Sequence, residues 1–309
     1  MTVAVVPTLT VGLPNFGSLF PPGEWRRFVD LGRVADDAGI DRIVLVDHVV
    51  MGRNTDAYAW GRFPVPPEAP WLEPLTMLAA IAAVTERVRL ATGILVAPLR
   101  PAALLAKTVA TLDAVSHGRV DLGVGTGWQR EEYDAVGLDF SRRGSLLSDT
   151  LGALRVLWRD APASYESASV SFRDVTCEPR PVQRGGVPIW VAGTLHARNV
   201  ARIADHGDGW IPIMGATLDD VTAGAATLRD ALRARGRDHA DFQVQAPLRI
   251  VRGDDGRPHL ARSLESVADL LAAGATDVHV PLQAFCRDPG AAREVLSELV
   301  DRFTRAVAP

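Results

Sequence analysis

Asp47 and His48 stand directly after the apolar run Ile43-Val44-Leu45-Val46. An imidazole beside a carboxylate can exchange a proton or donate a hydrogen bond near neutral pH, which makes His48 a candidate acid–base residue. The same histidine also reads as a strand cap. Asp47 has two readings as well: it orients His48 or a ligand hydroxyl, or it caps the following turn. A second group is Gly123-Val124-Gly125-Thr126-Gly127-Trp128. Its glycines leave room for a flat ring or let backbone amides approach a ligand, or they serve an ordinary strand-to-loop turn. The spacing is not a dinucleotide fingerprint. A third group is Ala192-Gly193-Thr194, ahead of a predicted helix. Free amides and a hydroxyl there suit a phosphate, or a plain helix cap.

Other chemistries find less support. His117, His196 and His206 fall on helices or their ends, His239 and His259 in loops, and His279 inside a strand, so no metal-ligand set converges. No Gly-x-Ser-x-Gly elbow offers a serine nucleophile. We therefore expect no metal and no covalent intermediate on a serine.

These groups need a frame that gathers them. Short apolar runs alternate with amphipathic stretches along the chain, the pattern of parallel β/α units. Strands are predicted at 3–11, 42–48, 88–96, 119–125, 188–192, 209–214, 242–251 and 277–282. Helices are predicted at 24–38, from about 74, from 101 to Gly118, and at 143–159, 195–204, 218–235, 264–273 and 289–305. That count and length predict an α/β fold, a (β/α)8 TIM barrel with insertions, as one domain over 1–309. An open doubly wound sheet would carry its Gly-rich turn after the first strand, whereas here it follows the fourth. In such a barrel the site forms at the C-terminal strand ends. That rim would collect Asn15, Asp47, His48, Thr92-Gly93-Ile94, Gly125-Thr126-Gly127-Trp128 and Gly193-Thr194. A Pro- and aromatic-rich loop spans 50–71, and the irregular stretch 139–186 reads as an insertion.

Composition narrows the partners. With 309 residues and a formal net charge of −4, the chain has no long-range attraction for nucleic acid or anionic lipid. No apolar run is long enough for a bilayer, and no basic residue precedes Arg26, so the expected location is cytoplasmic. Cys177 and Cys286 are too few for a disulfide framework and are expected to be reduced.

Taken together, Leu45-Val46-Asp47-His48, Trp71-Leu72-Glu73-Pro74-Leu75, Thr85 to Ile94 and Gly118 to Trp128 resemble the bacterial luciferase-like monooxygenase superfamily. Pro188 to Thr194, then Ala204 to Trp210, resemble its second half. The Gly-Val-Gly-Thr-Gly-Trp segment is most similar to the branch that uses the deazaflavin coenzyme F420, while users of flavin mononucleotide (FMN) share the fold. The resemblance implies a cofactor ring at the barrel mouth, propped by a non-prolyl cis peptide at Gly93-Ile94. It places His48 near the hydride-accepting carbon, and Asn15, Asp47, Thr92, Gly93, Ile94, Gly125, Thr126, Gly127, Ala192, Gly193 and Thr194 along the cofactor. The 50–71 loop would be a lid, with Trp60 and Trp128 lining a substrate pocket. The chain departs from the similar sugar-phosphate dehydrogenases by having Trp128 where they have an acid, and its one lysine, Lys107, lies on a predicted helix. The implied activity is hydride transfer between F420 and a small organic substrate. The alternatives are a reduced-flavin monooxygenase using FMN and a carrier protein without turnover. The resemblance further implies a homodimer.

Overall fold

The computed structural model describes residues 6–21, 23–238 and 240–308. The strands among them are β1 Thr8–Gly12, β2 Arg42–Leu45, β3 Arg89–Thr92, β4 Leu95–Val96, β5 Val120–Gly125, β6 Ala163–Glu166, β7 Ser171–Val175, β8 Ile189–Ala192, β9 Gly209–Ile211, β10 Gln243–Pro247 and β11 Asp277–Pro281. One sheet runs β3-β2-β1-β11-β10-β9-β8-β5-β4, and β3 also pairs with β5, so the sheet closes on itself. β3 and β4 are halves of one interrupted strand. The result is the closed eight-strand parallel barrel expected from the sequence. The first part of the predicted opening strand, residues 3–5, lies outside the described residues, as does His239.

The unbroken apolar runs make physical sense here. β2 and β5 are buried along their whole length because helices cover the barrel outside while other side chains fill it inside. The helix Arg26–Ala38 stops at Gly39, which takes a left-handed φ of 87° that only glycine adopts freely. The helix Leu218–Ala234 opens on a reciprocal capping box between Thr217 and Asp220.

Two sequence expectations change. The helix Arg143–Arg159, read as part of an insertion over 139–186, buries Leu147, Leu151, Leu154 and Trp158 in the core beside the helix Ala102–Val115. It is the barrel's own fourth helix. The addition is narrower: the antiparallel hairpin β6–β7 and the link that follows it. The predicted strand 88–96 is broken at Gly93-Ile94, although the cis peptide bond there is the one the resemblance implied. Cys177 and Cys286 are both free and buried.

Ion pairs close the N-terminal half of the lumen. Arg42 donates to Asp121 at 2.8 Å and to Asp277 at 2.6 Å, and Arg89 grips Asp121 through two bonds of 2.6 Å. Buried charges are costly unless every partner is engaged, and here Thr10 and Gln245 complete the shell of Asp277. A cavity of about 380 Å³ lies at this face, lined by Arg42, Arg89, Asp121, Arg155 and Trp190 among others. In TIM barrels this end serves stability, and the groups suited to chemistry stand at the other.

Candidate active site

His48 follows β2 at the C-terminal rim and its side chain is 10% exposed. Its carboxylate partner is not Asp47, as the sequence suggested, but Glu132: Nδ1 lies 3.1 Å from Glu132 Oε2. The other oxygen, Oε1, accepts the Val49 amide at 2.8 Å. Glu132 is fully buried on a short helix, Arg130–Ala135, that the sequence reading did not anticipate. The neighbouring Tyr133 anchors that helix, burying its ring and donating from its hydroxyl to Thr126 O at 2.7 Å. A carboxylate accepting at Nδ1 fixes the proton there and leaves Nε2 as the nitrogen able to take or give one. Sequence could not single out Glu132, because Arg130-Glu131-Glu132 reads as a solvated charged stretch.

Asp47 does a different job. Its oxygens accept from Val96 N at 2.9 Å and from Arg100 at 2.7 and 3.1 Å, and Arg100 also donates to Glu73 at 2.8 Å. The carboxylate therefore clamps the backbone just beyond the break in the third strand. It does not orient His48, and its oxygens are taken by the Val96 amide and Arg100, which corrects its orienting and turn-capping readings. Burial alone would push the Glu73 carboxyl up, yet bonds from Thr76 and Arg100 hold it below its ordinary value.

Asn15 and Thr92 are also committed to backbone. Asn15 donates to Val46 O and Leu72 O at 2.8 and 2.7 Å and accepts from Val46 N at 3.0 Å. Both amide hydrogens are used, so Asn15 ties together the ends of β1 and β2 and the exit of the 50–71 loop. The Thr92 hydroxyl donates to Gly123 O at 2.6 Å. The side chains of these two residues are bonded to backbone and position the rim.

The glycines of β5 answer to packing. A Cβ on Gly123 would lie 1.9 Å from Thr92 O, and one on Gly125 would lie 3.0 Å from Ile94 Cδ1. The space expected for a ring beside these two glycines is thus taken by the displaced third strand, which leans into it. Gly127 has a φ of 63° and turns the chain out of the barrel, while Thr126 and Gly127 stay half-buried at the rim.

Next to β5 in the sheet, β8 ends in Ala192-Gly193-Thr194, which leads into the helix Ala197–His206. The buried Asn199 amide donates to Ala192 O at 3.2 Å and Thr194 O at 3.0 Å, and Trp210 Nε1 donates to Gly193 O at 2.9 Å. With these carbonyls held inward, trans peptide geometry turns the amides of Thr194 and Leu195 the other way. Of the first-turn amides of the helix, that of Asn199 is already taken by the His196 carbonyl at 2.8 Å and its Nδ1 at 3.4 Å; those of Ala197 and Arg198 belong to a helix N-terminus, the kind of end that suits an anion such as a cofactor phosphate.

The 50–71 loop lies over His48. Gln129 brackets Gly52, accepting from its amide at 2.9 Å and donating to its carbonyl at 3.3 Å. A Cβ on Gly52 would lie 2.6 Å from Glu131 Cγ, so any side chain there would force Glu131 to move. Trp71, Trp128 and Phe63 present ring centroids 4.6, 5.7 and 5.9 Å from the His48 centroid, each roughly perpendicular to it. Trp60 is not brought to His48; it meets Tyr58 at 5.2 Å and is 37% exposed. Tyr58 reaches across the mouth and donates to Met214 Sδ, in the loop after β9, at 3.4 Å. Among the described residues no group of His, Cys, Asp or Glu could hold a metal ion, and no helix is long and apolar enough to cross a membrane.

Comparison with known proteins agrees with this architecture. The chain is 38% identical to an uncharacterized protein of Mycobacterium tuberculosis (strain H37Rv) over 167 residues, covering 54% of this chain and 58% of that protein. It thus spans little more than half the length of that relative. It is 30% identical over 286 residues to the F420-dependent glucose-6-phosphate dehydrogenase of Kineococcus radiotolerans, covering 89% of this chain and 78% of that one. The crystal structure of monooxygenase RslO1 from Streptomyces bottropensis superposes with a TM-score of 0.79 at 20% identity, over 97% of this chain and all of that one, a likeness of fold. Residues 11–290 match the family profile described as luciferase-like monooxygenase. A break in the third strand, a histidine at the second strand end and a glycine turn into a helix N-terminus after β8 are thus carried by a chain that belongs to the luciferase-like monooxygenase family.

Proposed function

We propose that this protein is an F420-dependent oxidoreductase that moves hydride between the coenzyme and an organic substrate at the barrel mouth. The observation that carries the reading is the His48–Glu132 pair, held at the rim beside the clamped break in the third strand. The amides of Thr194 and Leu195 would hold a phosphate, and the backbone around Gly93-Ile94 would back the ring. Bound there, the coenzyme supplies hydride exchange at its ring carbon. His48 would take or give the substrate proton at Nε2, with Glu132 fixing the tautomer and balancing the imidazolium when it forms. The loop over His48 keeps water from the reacting atoms, and the rim sets donor and acceptor in reach.

Similarity to a glucose-6-phosphate dehydrogenase does not carry its substrate over. Lys107 lies on the outer helix Ala102–Val115 and donates to Glu178 O, away from the mouth. Trp128 adds an aromatic wall facing His48. A flatter or more apolar substrate fits this lining better than a sugar phosphate.

The test is a fluorescence titration of the purified protein with F420 and with FMN. We expect F420 to bind at least tenfold more tightly. Tight binding of FMN with none of F420 would replace this reading by the reduced-flavin monooxygenase one, and binding of F420 without turnover on any substrate would favour a carrier.

A further inference from the structure

The N-terminal end of the barrel holds groups that the proposed reaction does not use. The cavity of about 380 Å³ there falls in the size range of small-molecule sites. Arg42 lines it with a side chain only 7% exposed. Two of its nitrogens are engaged: Nε donates to Asp121 at 2.8 Å, and Nη1 donates to Asp277 at 2.6 Å and to Thr10 at 3.2 Å. Nη2 donates to no group among the described residues. The guanidinium carbon lies 4.5 Å from the centroid of Trp190, a residue 3% exposed whose Nε1 likewise finds no acceptor among the described residues. Trp71 Nε1 is the one fully enclosed side-chain atom among the described residues without a partner, so Arg42 Nη2 and Trp190 Nε1 both border open space. Both residues also line a second hollow beside Thr92 and Gly123, but its volume of about 10 Å³ admits one water at most. Of the two, only the larger has room for an organic molecule. Two donors on largely buried side chains call for an acceptor, and a guanidinium bonds most strongly to an oxyanion.

The charges of the wall set the size of that anion's charge. Arg42, Arg89, Arg155 and Arg184 stand against Asp121, Asp208 and Asp241, which leaves one positive charge in excess. Asp277 and Arg237, each bonded to one of these groups, cancel each other and leave that excess unchanged. Asp121 is held by Arg42 and Arg89, and Asp208 by Arg155 and Arg237. Arg184 is exposed at the edge of the cavity and pairs with no carboxylate among the described residues. One carboxylate matches the excess, whereas a doubly charged phosphate would overshoot it.

We propose that the N-terminal end of the barrel is a second binding site, remote from the mouth, for a small organic monocarboxylate. The carboxylate accepts from Arg42 Nη2 and Trp190 Nε1, and Arg184 adds its charge from the exposed side. Arg42 on β2 already bonds Asp121 on β5 and Asp277 on β11, so a ligand on its third nitrogen joins the layer that ties three strands together. Binding there would stabilise the folded barrel by mass action.

The experiment is calorimetric titration of the full-length protein with sodium benzoate at constant ionic strength, beside benzamide and inorganic phosphate, together with thermal unfolding in benzoate. Benzoate should bind at one site, about tenfold or more tighter than either comparison compound, and should raise the melting temperature. Arg42→Ala would strip Asp121 and Asp277 of a partner and is expected not to fold, so two other variants carry the test. Trp190→Phe keeps a ring beneath the guanidinium, removes the N–H, and should weaken benzoate about fivefold. Arg184→Gln, at an exposed position, should weaken it about threefold and decides alone if Trp190→Phe does not fold. Saturating F420 should change benzoate affinity less than about twofold, because the two sites lie at opposite ends of the barrel. Equal binding of benzamide, tighter binding of phosphate, an unchanged affinity in Arg184→Gln, or competition between benzoate and F420 would each overturn the inference.

Discussion

Glu132 Oε2 sits 3.1 Å from His48 Nδ1 while its other oxygen holds the amide of Val49, so one buried carboxylate sets both the imidazole and the backbone just after it. The loop after β5 thereby orients a residue at the end of β2 across the rim. Replacing His48 by Ala should lower kcat by about a hundredfold or more, the usual scale of general acid–base assistance. The Kd for F420 should change less than threefold, measured by fluorescence titration beside steady-state turnover.

Glu132→Gln keeps the shape and one acceptor oxygen but removes the charge that balances an imidazolium. We expect a smaller fall in kcat than in His48→Ala, about tenfold, and an altered pH–rate profile. An identical profile in both proteins would leave Glu132 with a structural role only.

Asp47 and Arg100 form a buried pair that fastens the backbone after the strand break. Asp47→Ala leaves the Val96 amide without its acceptor and the guanidinium with Glu73 alone, so the loss should fall below about 3–5 kcal/mol, the cost when a buried pair is stripped of one member. Urea unfolding of the variant should show a lower midpoint. A midpoint equal to that of the parent would mean that the clamp is dispensable.

Gly123→Ala would put a methyl group 1.9 Å from Thr92 O, a backbone atom that cannot step aside. Gly125→Ala meets the Ile94 side chain, Cδ1 at 3.0 Å and Cγ1 at 3.1 Å, which can turn aside. The first variant should fail to accumulate as folded protein. The second should fold and bind F420 more weakly, because Ile94 is pushed toward the rim; solubility, circular dichroism and titration separate the two outcomes.

How much of this was legible in the sequence follows from what each residue answers to. The alternation of apolar runs with amphipathic stretches revealed the barrel, because burial on both faces of a parallel strand dictates its composition. His48, Trp128 and the Ala192-Gly193-Thr194 turn were legible because strand ends are marked by abrupt polarity or glycine. The partnerships were not. Asp47 adjoins His48 in sequence, yet Arg100, 53 residues on, claims its carboxylate, and Glu132, 84 residues from His48, takes the role assigned to Asp47. Nothing in local pattern distinguishes a buried glutamate from its solvated neighbour Glu131. The glycines of β5 misled for a related reason: missing side chains were read as space, and the third strand occupies it. The 139–186 stretch looked irregular because the hairpin and proline-rich link obscured a barrel helix beside them.

His279 offers a pH test. Burial pushes its imidazole below the ordinary value of 6.5, with Asp277 opposing. The folded state thus resists a proton that the unfolded chain accepts, so stability is unaffected above about pH 6.5 and declines as pH falls below it. His206 is shifted the same way by burial, with Asp205 opposing and Arg155, Arg202 and Arg237 adding to the fall. Urea midpoints at pH 7.5 and 5.5 should differ less in His279→Gln than in the parent, without vanishing.

The most direct measurement is the structure of the complex with F420. We expect the deazaflavin ring against the Gly93-Ile94 backbone with its reactive carbon facing His48, and the phosphate on the amides of Thr194 and Leu195. A ring bound elsewhere, or a coenzyme phosphate held by arginines away from that turn, would contradict it.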